Sequence, residues 1–125
     1  MCSSDLLVTY HAMAEIGIEM GLPRRNAEKN AGVFDRGRES IAIAKTAGVA
    51  LGFGTDLLGE AQPWQNREFA IRAELEPAAD VLRSMYHVNT KLCHLQGEIG
   101  VITEGAAADI LLSKVNPLEA LAEFA

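Results

Sequence analysis

The chain has 125 residues, 49% of them hydrophobic and 22% charged, and a formal net charge of −6. That balance suits one globular domain of ordinary size, or a piece of a larger one, and excludes a disordered chain. It also excludes a nucleic-acid surface, because the basic residues are scattered and only Arg24 and Arg25 are adjacent.

No apolar run approaches the roughly 20 residues that a membrane-spanning helix needs. The first eight residues lack the positive n-region of a secretory signal. Cys2 and Cys93 make neither a metal spacing nor a disulfide framework, which fits a reducing compartment. A soluble, cytoplasmic protein without a membrane partner is expected.

In chain order, Leu6 to Tyr10 is a short apolar run that predicts a buried strand. Met13, Ile16 and Met20 then recur at helical spacing, with Gly21 placed to end that helix and Pro23 just beyond. A longer helix is predicted from about Asn26 to Ala47. It places Ala27, Ala31, Phe34, Ile41 and Ala44 near one face, and Lys29, Arg36, Arg38 and Glu39 toward solvent. Gly48 ends it, and a strand is predicted over 49–54.

Pro63 suits the first turn of a third helix that carries Phe69, Ile71 and Leu75 and stops near Pro77. Pro77 in turn opens a fourth helix, with a stripe of Val81, Leu82, Met85, Val88 and Leu92. Strands are predicted over 97–102 and 109–113 around a turn at 103–105, and a short helix over 118–124 after Asn116-Pro117. Strand, helix, strand, helix implies a parallel sheet with a right-handed crossover. Parallel strands need cover on both faces, so the chain reads as a portion of something larger.

The stretch Leu51-Gly52-Phe53-Gly54-Thr55-Asp56 ends an apolar run with an acid just past the last residue of the predicted strand. Parallel α/β proteins place catalytic groups at such tips, where a rigid strand opens into an accessible loop. Some forty residues later comes Gly97-Glu98-Ile99-Gly100-Val101-Ile102-Thr103-Glu104-Gly105-Ala106-Ala107-Ala108-Asp109-Ile110. In this order and spacing the two motifs resemble the C-terminal part of the metal-dependent amidohydrolase superfamily, nearest to its imidazolonepropionase-like and prolidase-like members.

The resemblance implies an α/β fold: the last two βα units of a (β/α)8 TIM barrel over 1–95, then strands of a small β-sandwich and a short C-terminal helix over 96–125. The strand at 6–10 would be the seventh of the barrel, and the helices over 64–75 and 78–93 would close it. Asp56 falls on the eighth-strand aspartate, which implies both a metal ligand and the catalytic acid–base group. A divalent metal, expected as zinc, belongs to the full-length enzyme on this resemblance. No His-x-His pair occurs here, so Asp56 is the one expected ligand in this chain.

Other candidates read as structural. His11 follows a strand end and suits a loop or helix start. His87 and His94 are two turns apart, about 10 Å along a helix axis, too far to share a metal. Met13, Met20 and Met85 read as core filler, Trp64 and Tyr86 as helix-packing aromatics, and Cys93 as a small buried hydrophobe. Asp109 is expected near a turn with no catalytic part.

The function expected is hydrolysis of a C–N bond in an amide, peptide or cyclic amide, with a small-molecule or dipeptide-like substrate. The chain is expected to be a C-terminal fragment, inactive alone, and to form oligomers or depend on the missing half of the barrel. A second reading takes it as a non-catalytic α/β module that assembles with a partner chain through 97–102 and 109–113.

Overall fold

A computed structural model describes Gly17, Met20, Gly21 and residues 23–124. The strand expected over 6–10, most of the helix expected over 11–20, His11, Cys2 and the side chains of Ala27 and Ala31 lie outside the described residues. Among those described, helices and turns make up the regular structure, and the sole pairing of β type is an isolated parallel bridge between Gln96 and Ile99.

Helix α1 spans Arg24–Thr46 and starts directly after Pro23. Ile41 is fully buried on its inner face, with Phe34 and Ala44 packed beside it. Its end is a Schellman motif: Gly48 lies at φ +68°, its N–H donates to Lys45 O, and the Val49 N–H donates to Ala44 O. Glycine is needed there because the left-handed conformation crowds a Cβ.

Residues 49–58, the extended segment, carry the chain on without helix or ladder, and Asp56 within them departs to the left-handed region at φ +51°. The strand expected over 49–54 is corrected: Leu51 and Gly52 are buried, but the stretch makes no ladder among the described residues. Leu51 packs on Ile41 and Ile71, and Phe53 packs on Phe69 at 4.8 Å between ring centres. A 3₁₀ turn over Gly59–Trp64 contains Pro63, so α2 begins later than expected, at Arg67–Leu75. Trp64 packs against Leu57 and Ala61 as foreseen.

Helix α3, Ala78–Arg83, passes through a π-helical turn at Ser84–Val88 into α4, Asn89–Leu92. The expected fourth helix is therefore present, with one wide turn inside it. His94 ends it in the left-handed region at φ +58°, the position Gly48 fills in α1, while the Leu95 N–H donates to Thr90 O. Leu121 and Phe124, around the 3₁₀ turn Leu121–Glu123, return to the Phe69–Val81 core, Phe124 meeting Phe69 edge to face at 5.3 Å.

The strands expected over 97–102 and 109–113 are corrected: neither forms a ladder among the described residues. Gly97, Gly100 and Gly105 all take positive φ, which turns the backbone away from a pleat. Ile102 and Leu112 stand fully in solvent, without a neighbouring strand to cover them. Cys93, expected buried, is exposed, as are Tyr86 and Met20 at 40% each. On the helix with the wide turn, Ser84 and Thr90 are the buried polar residues.

Gly100 shows why glycine recurs in this region. A Cβ there would lie 2.8 Å from the Tyr86 carbonyl oxygen and 3.0 Å from Thr90 Cγ2. Gly100→Ala should therefore cost about 3 kcal/mol, strain and overlap together. Gly105→Ala, with positive φ and open space, should cost only about 1 kcal/mol. Urea unfolding of the two variants checks the difference, and equal costs would mean that the approach to Tyr86 is unimportant.

Candidate functional site

Asp56 is exposed at the end of the extended segment, at φ +51°. Asp tolerates that conformation better than most residues. Its carboxylate makes no hydrogen bond or ion pair among the described residues, so it faces the medium freely. The backbone on either side is anchored. Leu57 is buried against Ala61, and three residues upstream Phe53 is held at both polar groups: its N–H donates to Asn89 Oδ1 at 2.9 Å, and its carbonyl accepts from Asn89 Nδ2 at 2.7 Å.

Behind Phe53 lies a buried ionic cluster that the sequence reading missed. Arg72 is fully buried on α2, with Glu68 four residues before it on the same helix and Glu76 four residues after it, just past the helix end. Its Nε donates to Glu76, one Nη donates to Gly52 O at 3.4 Å, and the same nitrogen lies 3.9 Å from Glu68 Oε1. The guanidinium stands 5.8 Å from the Phe53 ring centre. Arg72 Nη2 and Glu68 Oε1 are buried with no hydrogen-bond partner among the described residues. The four-residue spacing of Glu68, Arg72 and Glu76 was the available signal, though the same spacing serves an exposed helix face equally well.

Burial pushes the Glu68 carboxyl up to about 7, against the pull of Arg72 and with a further push from Glu76. An acid raised above its ordinary value of 4.5 stabilises the fold fully below that pH, and the contribution is lost as pH rises through about 7. Stability should fall between these limits, by about 3 kcal/mol from this group. Glu68→Gln should flatten that part of a stability-against-pH curve measured by urea unfolding. An unchanged slope would remove Glu68 as its source.

Lys45, at the end of α1, bridges to Asp80 at 3.1 Å and Glu76 at 3.4 Å. Partial burial works to lower its pKa, and the Asp80 hydrogen bond with the Glu76 charge outweighs it, so the ammonium lies above its ordinary value. These groups line a cavity of about 210 Å³ beside Val49 and Leu51, at the far end of the extended segment from Asp56. Lys45 pairs there with both Asp80 and Glu76, Arg83 also lines the cavity, and no lining residue belongs to the tip.

The described residues do not by themselves fit a metal. Among them no three His, Cys, Asp or Glu side chains come together in a group that could hold a metal ion. One carboxylate is too few donors for a zinc site. No described helix is long and apolar enough to cross a membrane.

No protein-family model and no curated protein sequence matches the chain. Solved structures do. One, described as a prolidase complexed with N-methylphosphonate-L-proline, is 44% identical with a TM-score of 0.80, over 92% of this chain and 29% of its own. An amidohydrolase structure is also 44% identical at a TM-score of 0.80, over 94% of this chain and 30% of that one. A third, of an uncharacterized protein, gives 44% and 0.81 over 92% and 29%. The chain thus spans just under a third of the length of these relatives. Likeness in sequence and in backbone together over nine-tenths of its residues makes it a member of the amidohydrolase superfamily, corresponding to a portion of such a chain.

Proposed function

We propose that a protein containing this segment hydrolyses a C–N bond, with Asp56 at the reacting centre. On this reading residues 1–95 supply the last βα units of a TIM barrel and 96–125 the strands of a small β-sandwich. The observation that carries it is the 44% identity to a prolidase structure over 92% of this chain, together with an exposed acid at the tip where the motif puts one.

The relative's ligand suggests the substrate class. N-methylphosphonate-L-proline has a tetrahedral phosphorus on the proline nitrogen, where a substrate would have a planar carbonyl. A ligand shaped like the tetrahedral stage of acyl transfer binds a site built for that stage. The substrate proposed here is accordingly an N-acyl-proline or a dipeptide with proline at its second position.

Asp56 can act by proton transfer. Its carboxylate accepts a proton from water as that water attacks the carbonyl, then delivers it to the departing proline nitrogen. A divalent metal, with zinc expected, is proposed for the complete enzyme on the strength of the resemblance. The described residues supply a single carboxylate toward it, the other ligands coming from the part of the relatives that this chain does not span. The isolated chain is then inactive, and it depends on that remainder or on self-association. The bare apolar side chains of Ile102 and Leu112 support such dependence.

The test is an assay of the complete protein against a panel of dipeptides ending in proline, before and after stripping with a chelator. Release of free proline that stops on stripping and returns with added zinc is expected. Absence of any C–N bond hydrolysis across the panel would overturn the proposal.

A further inference from the structure

We infer that Asn89 is a positioning residue for Asp56, acting with Arg72 as a clamp on the extended segment. This rests on the reading of Asp56 given above. The side-chain amide of Asn89 takes both the N–H and the carbonyl of Phe53, as a neighbouring strand residue does in a hydrogen-bonded pair. Helix-borne groups therefore fix the height of the segment along its own axis. Arg72 adds a donor to the preceding carbonyl, Gly52 O, and the Phe53 ring centre lies 5.8 Å from the Arg72 guanidinium and 4.8 Å from the Phe69 ring centre.

The geometry at the tip shows why such a clamp matters. Only Gly54 and Thr55 separate the anchored Phe53 from Asp56, and Leu57 is buried immediately after it. A non-glycine residue at positive φ persists where its surroundings determine it from both sides. With no bond from its own carboxylate, Asp56 takes its place from these backbone anchors.

The helix is built to present Asn89 there. The Asn89 N–H donates to Ser84 O, five residues back, and this bond defines the wide turn. One residue added to a turn rotates everything beyond it by about 100°. Thr90 caps the loosened carbonyls, its hydroxyl lying 2.9 Å from Tyr86 O and 3.1 Å from His87 O. The distortion thus brings Asn89 onto Phe53 while its own freed groups are satisfied.

The experiment pairs two readouts on Asn89→Ala and the milder Asn89→Asp, which keeps the acceptor for the Phe53 N–H. In the full chain, amide hydrogen exchange followed by NMR should speed up at Phe53 by about tenfold or more in Asn89→Ala, the worth of a pair of hydrogen bonds. Amides of α2 should hold their rates. In the complete enzyme kcat should fall by about tenfold to a hundredfold with KM within about twofold, as expected when a reacting group is misplaced while substrate binding is kept. Asn89→Asp should fall between. Unchanged exchange at Phe53, or faster exchange with kcat intact while Asp56→Asn is crippled, overturns the positioning role alone. Full turnover by Asp56→Asn overturns the reading of the acid, and the positioning role with it.

Discussion

Arg72→Met should destabilise the chain by about 3–5 kcal/mol, the cost of breaking a buried ion pair from one side. The methionine fills much the same volume, so packing is nearly kept. What is lost is the charge that Glu76 and Glu68 share in a region closed to water. Against a typical total of about 5–15 kcal/mol, that is a large fraction. For a chain of this length the melting temperature should fall by roughly 10–20 °C. Arg72→Lys should recover only part, because an ammonium cannot reach Glu76 and the Gly52 carbonyl with one planar fork. Replacing all three, as Arg72→Met with Glu68→Leu and Glu76→Leu, should restore most of the loss, since a buried ionic group and an apolar one of similar volume can be nearly equivalent. A melt of Arg72→Met within a degree or two of the parent would mean that the cluster is open to water.

That cluster marks where the sequence stopped being informative. Glu68, Arg72 and Glu76 repeat every four residues, the pattern of an ordinary solvated helix face. Their burial is decided by Gly52 and Phe53, which arrive from a different element, and nothing local in α2 announces the visit. The same holds for Asn89: its partner is 36 residues away, and the wide turn that aims it has no sequence mark of its own. Helices were legible where apolar periodicity and a glycine stop coincided, as in α1 from Phe34 and Ile41 to Gly48. Strands were not. A run such as 49–54 encodes an extended, buried path, whereas a ladder also needs a second chain segment in register, and β-propensity reports that context more than the residues. The expected partner at 6–10 lies outside the described residues. Over 97–102 the alternation of apolar residues misled, because left-handed glycines bend the chain away from a pleat. The acid at 56 was legible as the end of a Gly-Thr-Asp tip. Its left-handed backbone and its anchors were not.

Asp56→Asn in the complete enzyme should lower kcat by about 10²–10⁴, the usual worth of general acid–base catalysis. Asparagine keeps the shape and, like aspartate, tolerates the left-handed backbone at φ +51°, so the tip should remain in place. What disappears is a group able to take a proton from water and return it to the leaving nitrogen. KM should change little, because the substitution acts in the transition state more than on bound substrate. Asp80→Asn is the control. It removes one exposed carboxylate from the Lys45 bridge, at the other end of the extended segment, and should cost about 0–1 kcal/mol of stability with kinetics unaltered. A near-normal rate in Asp56→Asn at unchanged metal content would make the acid a structural group, and the chemistry would have to be sought elsewhere in the complete protein.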